Sequence, residues 1–161
     1  MKKLHVLLIA AASMLLTQVA SAEGYWGIKA ASTNTGASGS SSAVNAGIYL
    51  GTDFMELGSS PVAAELDIST KVVDGKVGGN NWGAQTMAVY AAMRTGSDSF
   101  FKLKVGYHSS TTTVNSANTA TSGLAYGIGF GVNGYEIEYS LLTASSSADA
   151  LTMISVGYTF E

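Results

Sequence analysis

Cysteine is absent from this chain, and proline occurs once, as Pro61. Without cysteine there is no disulfide and no thiolate chemistry, and we expect no lipid anchor on the exported chain. Only two histidines occur, which excludes a cluster of imidazole ligands for a metal ion. Charged residues are also few, with 8 basic and 11 acidic side chains. Because no basic surface is available to neutralise phosphates, a nucleic-acid partner is not expected.

Long hydrophobic runs are missing too, apart from one near the N-terminus. Residues 6–16 are apolar except for Ser13, and a pair of lysines precedes them. This run is too short to cross a membrane as a helix. Followed by the small residues Ala20-Ser21-Ala22, it is typical of a secretory signal peptide. We therefore predict a cleaved signal peptide over residues 1–22 and a single exported domain over residues 23–161.

The exported part of the chain alternates apolar residues with polar or small ones. A period of two is typical of β-strands that have two different faces. Eight segments alternate in this way, and most are close to the roughly 9–11 residues that a tilted strand needs to cross a bilayer. The segments are Gly24–Ser32, Val44–Gly51, Val62–Lys71, Trp82–Arg94, Ser99–His108, Gly123–Val132, Tyr135–Leu142 and Ala150–Phe160.

The connections between these segments alternate as well. The odd-numbered ones are rich in Ser, Thr, Asn and Gly, whereas the fourth and sixth are tight turns. Long loops at one end and short turns at the other are typical of an up-and-down membrane barrel. The second connection, Thr52–Ser60, is longer than that rule predicts. The polar connections are Thr33–Ala43, Val72–Asn81, Ser109–Ser122 and Thr143–Asp149, and the tight ones are Thr95–Asp98 and Asn133-Gly134.

Side-chain parity predicts which face of each strand meets lipid and which meets the lumen. For the fourth segment, whose phase is ambiguous, we place Met87 and Val89 outside and Tyr90 and Arg94 inside. Charges on the inward faces then fall on alternate strands at a similar depth: Lys29, Glu65, Asp67, Lys102, Lys104, Glu136 and Glu138. We expect them to pair and to plug the lumen, because a buried charge without a partner costs about 3–5 kcal/mol.

Aromatic residues lie near the segment ends, as two interfacial girdles require. Those predicted for the periplasmic rim are Trp26, Phe101, Tyr135, Tyr158 and Phe160, and those for the opposite rim are Trp82, Tyr107 and Tyr139. A secreted soluble barrel is the alternative, because alternation alone does not indicate which face of the strands is exposed to water. The polar faces, however, consist mainly of glycine and serine, with fewer charged side chains than the surface of a soluble protein carries.

The export signal, the eight segments, the Asn133-Gly134 turn and the ending Val156–Phe160 resemble the OmpA-like small outer-membrane barrels, also described as the porin-family β-barrel domain. The resemblance implies an all-β, eight-stranded antiparallel up-and-down transmembrane barrel in the Gram-negative outer membrane. The expected partners are outer-membrane lipid and lipopolysaccharide, periplasmic chaperones, the barrel-assembly machinery and an unidentified extracellular ligand.

Such barrels include adhesins, structural proteins, small channels and lipid-modifying enzymes, so the resemblance leaves the activity open. We expect a structural or surface-interaction role carried by the polar loops. A narrow pore for small solutes is the alternative, and a lipid-directed hydrolase is a further one.

Two short motifs suggest catalysis or cofactor binding. Residues 129–134 fit G-x-G-x-x-G, but Tyr135–Tyr139 continues as a strand where a dinucleotide site needs a helix. His108-Ser109-Ser110 is similar to the His-x-Ser spacing of outer-membrane lipid A deacylases, whose motif continues with residues that are absent here. We read His108 as a polar rim residue. We assign no catalytic, cofactor-binding or metal-binding residue, expect no cofactor, and predict that the protein is not an enzyme.

The last strand carries a prediction about assembly. Its apolar face ends on Phe160, which resembles the C-terminal sorting signal of outer-membrane barrels. Phe160→Ala should therefore lower the folded, heat-modifiable fraction in outer membranes, whereas deletion of Glu161 should leave it unchanged. Electrophoresis of unheated and heated membranes measures this fraction, and equal folding of wild type and Phe160→Ala would contradict the prediction.

Overall fold

The computed structural model describes residues 24–144 and 150–160. The predicted signal peptide, most of the seventh connection and Glu161 lie outside the described residues. Within the described ranges there is no helix long and apolar enough to cross a membrane. The same ranges contain nine strands: β1 (Gly24–Asn34), β2 (Ala43–Leu57), β3 (Ser60–Val73), β4 (Gly75–Val77), β5 (Asn80–Gly96), β6 (Ser99–Val114), β7 (Ala117–Val132), β8 (Tyr135–Leu142) and β9 (Leu151–Phe160).

Eight of these strands form a closed antiparallel ring. β1 pairs with β2 on one side and with β9 on the other, from Trp26 opposite Phe160 to Asn34 opposite Thr152, and so joins the first strand to the last. β4 follows β3 after Asp74 and pairs with the start of β5, while β3 itself pairs with β5. The predicted eight-stranded antiparallel barrel is confirmed, and each predicted segment lies on its own strand.

The strands at one end are longer than predicted. Most of Ser109–Ser122, predicted as a loop, belongs to β6 and β7, which are joined by a turn at Asn115-Ser116 with φ angles of 46° and 69°. The prediction of a long irregular loop is wrong because β-branched threonines favour extended backbone. The hydroxyls of Ser110 and Thr121 also form a hydrogen bond of 2.8 Å across the two paired strands.

The second and third connections are also shorter than predicted, because the flanking strands continue into them. β2 and β3 continue to Leu57 and Ser60, which pair, so that only Gly58-Ser59 remains as the turn. Much of Val72–Asn81 is likewise a hairpin, made by β4 and the start of β5. The second connection is therefore a short turn, as the rule for membrane barrels requires, and not the long connection that the sequence indicated. All three turns at the end that carries Gly24 and Phe160, called here the turn end, are tight. The opposite end is called the loop end.

The wall of the barrel is apolar outside, and the middle of its interior carries buried charges, the reverse of a soluble protein. Large apolar side chains remain about half exposed on the outer face: Trp26, Ile28, Ile48, Phe101, Leu103, Val105, Leu124, Ile128, Ile137, Ile154 and Val156. Inside, Glu65 and Lys102 are 0% and 1% exposed. An apolar band of this extent is typical of a surface that hydrocarbon covers, which excludes the soluble barrel. β5 follows the predicted phase, with Tyr90 and Arg94 facing inward.

Aromatic side chains cluster on the outer wall at the turn end, as predicted. Trp26 stacks on Phe160 with ring centroids 4.2 Å apart. Tyr158 meets Phe160 edge-on at 4.8 Å and Tyr135 at 5.0 Å. These contacts join β1, β8 and β9 where the ring closes, so they support the joint between the first and last strands.

The position predicted for Trp82 is wrong. Its side chain faces the lumen, is 1% exposed and donates a hydrogen bond from Nε1 to the Ser41 carbonyl at 2.8 Å. The reason is parity, since Trp82 lies on the same face of β5 as the inward Tyr90 and Arg94. It therefore closes the loop end of the lumen and belongs to no girdle.

The arrangement predicts the orientation of the barrel. The Asn115-Ser116 turn lies at the loop end, opposite Gly24 and Phe160, so we expect it at the cell surface and both chain ends in the periplasm. An epitope inserted between Asn115 and Ser116 should bind antibody on intact cells. The matched insertion between Gly58 and Ser59 should bind only after the outer membrane is permeabilised. The opposite labelling pattern would overturn this orientation.

Candidate functional site in the barrel lumen

Seven charged side chains meet at the middle of the lumen. They project from four strands, β1, β3, β6 and β8, whose inward faces carry charge while the outward faces are apolar. The structure brings together all seven residues that the sequence placed inside: Lys29, Glu65, Asp67, Lys102, Lys104, Glu136 and Glu138. We call this group the charge network.

Lys102 connects two walls of the barrel. Its Nζ lies 2.6 Å from Glu65 Oε2 on β3 and 3.1 Å from Glu136 Oε1 on β8. A third carboxylate, that of Glu138, lies 3.8 Å away. Since the side chain is almost fully buried, these carboxylates replace the water that would otherwise solvate the ammonium group.

Lys104 makes a second connection one step further along β6. Its Nζ lies 2.8 Å from Glu138 Oε2, 3.0 Å from Glu65 Oε1 and 3.4 Å from Asp67 Oδ2. Lys29, from β1, pairs with the same oxygen of Asp67. Every ammonium group of the network thus has a carboxylate partner, and the pairs extend from β1 through β3 and β6 to β8.

Hydroxyl groups and rings complete the surroundings of these ions. Tyr25 donates to Glu65 Oε2 at 2.9 Å, and Ser140 donates to Glu138 Oε1 at 2.6 Å. The Lys104 ammonium lies 4.2 Å from the centroid of the Tyr90 ring, where the face of the ring attracts a cation. Buried carboxylates need such added donors, because ion pairing alone seldom offsets their desolvation.

Glycines make room for the long side chains. A Cβ on Gly127 of β7 would lie 2.7 Å from the Lys104 stem, and one on Gly131 would collide with the Phe100 ring. The G-x-G-x-x-G match therefore has a packing explanation. Its last two residues, Asn133 and Gly134, form the hairpin turn with φ angles of 50° and 83°.

Toward the loop end the network is covered by an apolar layer. Trp82 is its largest member, and Val77 and Val114 pack against the cluster. The remaining members are mostly small: Ala31, Ala43, Ala84, Ala88, Tyr90, Ala125, Leu142, Leu151 and Met153. The lumen at this end therefore has the composition of a protein core.

His108 lies in the barrel wall near this layer, not at an exposed rim as predicted. It is 1% exposed, and its Nε2 donates to the Thr143 carbonyl at 2.7 Å. The reading as a rim residue is wrong because β6 continues six residues beyond His108. Ser110 shares its inward face but bonds with Thr121, and Nδ1 of His108 has no hydrogen-bond partner in the described residues. Among the described residues, no carboxylate orients the imidazole as a hydrolytic triad would require.

At the turn end the lumen opens into a cavity of about 930 Å³. Its floor holds Arg94, whose guanidinium carbon lies 3.7 Å from the Tyr25 ring centroid and 4.8 Å from that of Phe100. We call this space the vestibule. Parity predicts that Tyr25 faces inward, because the next residue, Trp26, faces outward. Parity does not predict that Tyr25 stacks with Arg94, because Arg94 lies on another strand.

Little free space remains within the network itself. A void of about 10 Å³ lies between Lys29, Asp67, Lys104 and Glu138, enough for about one water molecule. Among the described residues, no group of three or more acidic or histidine side chains is arranged to hold a metal ion. The ammonium groups already occupy the carboxylate oxygens that a cation would need.

The geometry can now be compared with known proteins. No protein-family model matches the chain. No curated protein matches it either. Solved structures do match. Neisserial surface protein A, NspA, superposes with a TM-score of 0.60 at 12% identity, covering 84% of this chain and 95% of that one.

Two further structures superpose over the same share of the chain. The N-terminal β-barrel domain of Pseudomonas aeruginosa OprF gives a TM-score of 0.53 at 14% identity, covering 84% of this chain and 97% of that one. The outer membrane enzyme PagL gives 0.56 at 10% identity, covering 84% and 98%.

The chain has the fold of the small outer-membrane barrels. At these identities the likeness concerns architecture, and PagL shows that this architecture also occurs in an enzyme. The apolar outer band is typical of membrane barrels with this fold, whose outer wall faces hydrocarbon.

The charge network predicts a large coupling between its lysines and its carboxylates. Lys102→Ala combined with Lys104→Ala should lower the free energy of unfolding by at least about 3 kcal/mol, because three buried carboxylates lose their lysine partners. They are Glu65, Glu136 and Glu138, whereas Asp67 keeps Lys29. Adding Glu136→Gln and Glu138→Gln should restore part of the loss, since the unpaired charge is removed while the shape is kept. Urea unfolding of the refolded barrel measures each corner of this cycle.

Lys76→Ala is the matched control, because Lys76 is exposed and contacts the Asn81 side chain. It should leave the unfolding midpoint almost unchanged. Additive effects of the lysine and glutamate substitutions would contradict the pairing and would indicate a water-filled lumen.

Proposed function

We propose that the protein is a closed, integral outer-membrane barrel that acts as a structural or surface-interaction protein through the hairpins at its loop end. The charge network is the observation that carries this proposal. It fills the middle of the lumen with paired side chains, and the apolar layer under Trp82 lies between it and the loop end. A lumen filled in this way favours a plug over an open channel, so the exposed hairpins are the surface left for interaction.

The loop-end surface has a consistent chemistry. The β6–β7 hairpin presents hydroxyl and amide groups, with Thr113 donating to Asn118 Oδ1 at 2.7 Å. In the β1–β2 connection, Asn34 Oδ1 accepts from the Gly36 amide at 2.8 Å, and Ser40 donates to the Ala37 carbonyl at 2.7 Å. Such groups suit a polar, uncharged extracellular ligand recognised by hydrogen bonds.

The other partners follow from the outer wall and the last strand. Phospholipid and lipopolysaccharide would cover the apolar band. Periplasmic chaperones and the barrel-assembly machinery would handle the chain before it closes, since its apolar faces are exposed until then.

A narrow pore is the second candidate. The vestibule of about 930 Å³ reaches into the barrel from the turn end, and the void in the network would hold one water molecule. A pore would require Lys102 and Lys104 to leave their carboxylates together. A lipid-directed hydrolase has less support, because His108 donates to a backbone carbonyl and faces the inside of the barrel.

Conductance and adhesion test the proposal together. Wild-type barrel refolded into a planar bilayer should give no steady conductance steps, whereas Lys102→Ala with Lys104→Ala should give new or larger ones. Cells that express wild type should adhere more strongly to a cultured cell layer than cells carrying an empty vector. Thr113→Lys combined with Asn118→Lys should reduce that adhesion and leave conductance unchanged, because both side chains lie outside the lumen.

Steady conductance by wild type would favour the pore over the closed barrel. Adhesion equal to that of the empty vector would remove the surface-interaction role while leaving a structural one.

A further inference from the structure

A groove crosses the outer wall over β1, β2, β3 and β9 and reaches the start of β8. Its volume is about 730 Å³, which lies within the range of sites that hold small molecules. Its lining includes Ile28, Ile48, Ile68, Val156, Tyr135 and Tyr158 around the small residues Ala30 and Ala46. The groove is shallow and open toward the lipid, and its exposed lining is almost entirely apolar.

The register explains why the wall is hollow here. Ala30 pairs with Ala46 across β1 and β2, so two minimal side chains lie next to each other. The adjacent outward pair is Ile28 with Ile48, and Ile68 extends that row onto β3. A row of long side chains beside a row of methyl groups forms a step, and the step is one side of the groove.

The groove is continuous with the lipid-facing wall and has a direction. It starts at Tyr135 and Tyr158, which belong to the aromatic cluster at the turn end, and reaches the Ala30–Ala46 pair near the middle of β1. Tyrosines at this level lie where headgroups meet hydrocarbon. The groove therefore lies mainly in the half of the bilayer that faces the turn end, and in the orientation inferred above that half is the periplasmic leaflet.

We propose that this groove binds one acyl chain of a phospholipid, with the headgroup near Tyr135 and Tyr158. The periplasmic leaflet supplies phospholipid, and the outward side chains that line the groove carry no charge. A chain lying in the step contacts protein on more than one side, so its dispersion energy exceeds that of a chain on a convex wall. This site is independent of the lumen and of the loop-end surface.

Lipid retention tests the site. The full exported chain is refolded into vesicles of phosphatidylethanolamine and phosphatidylglycerol, extracted in detergent and examined by native mass spectrometry. Wild type should retain one phospholipid after the others are lost. Ala30→Leu with Ala46→Leu should fill the groove and lower that retention at least tenfold.

The matched control is Ala64→Leu with Ala91→Leu. These alanines are also a cross-strand pair on the outer face, between β3 and β5, and they do not line the groove. The control should retain lipid as wild type does, and heat-modifiability on gels verifies that each variant folds. Equal loss in both variants, or no retained lipid in wild type, would overturn the proposal.

A second measurement needs no variant. A phospholipid with a photoreactive group on its acyl chain should crosslink to wild-type peptides of β1 and β2 several-fold more than to those of β6 and β7. Uniform crosslinking would refute a specific site. A dimer mass that disappears with the groove substitutions would assign the groove to a second copy instead. Retention of lipopolysaccharide in preference to phospholipid, from vesicles that contain both, would also overturn the proposal.

Discussion

The pairing of Lys102 and Lys104 with carboxylates on two other strands is the interaction on which the interior depends. Charges inside a narrow barrel are tolerable only when each has a partner, and the partners here come from walls that are distant in sequence. The pairs therefore also constrain register. A one-residue slip of β6 would turn both lysines toward lipid and leave Glu65, Asp67, Glu136 and Glu138 without them.

The packing around the network follows from the same constraint. Tyr25 and Tyr49 lie opposite Gly51 and Gly27 across β1 and β2, and a Cβ at either glycine would collide with the facing ring. Tyr49 also meets the Thr159 hydroxyl at 2.6 Å, which connects β2 to the last strand. Large and small inward residues thus alternate between neighbouring strands, and the described side chains fill the lumen between the vestibule and the loop end.

The centre of the fold could be predicted from sequence because two-residue alternation there contrasts charge with large apolar side chains. Glu136 and Glu138 between Tyr135, Ile137 and Tyr139 leave no ambiguity of phase. The ends of the strands could not be predicted. The run of serines and threonines after His108, for example, does not alternate charged with large apolar side chains. The girdle rule misplaces Trp82, because the parity of its own strand turns the indole toward the lumen. Which carboxylate each lysine meets depends on strand register around the ring, which no local pattern contains.

The two tryptophans lie in opposite environments. Trp26 faces outward, 47% exposed and stacked on Phe160, whereas Trp82 is sealed inside the lumen against Ser41. Their indoles are thus natural fluorescent reporters of two separate events. The emission of Trp26 reports entry of the first and last strands into hydrocarbon, and that of Trp82 reports closure of the ring and loss of water from its interior. Single-tryptophan versions of this cysteine-free chain would allow insertion and closure to be timed separately during refolding.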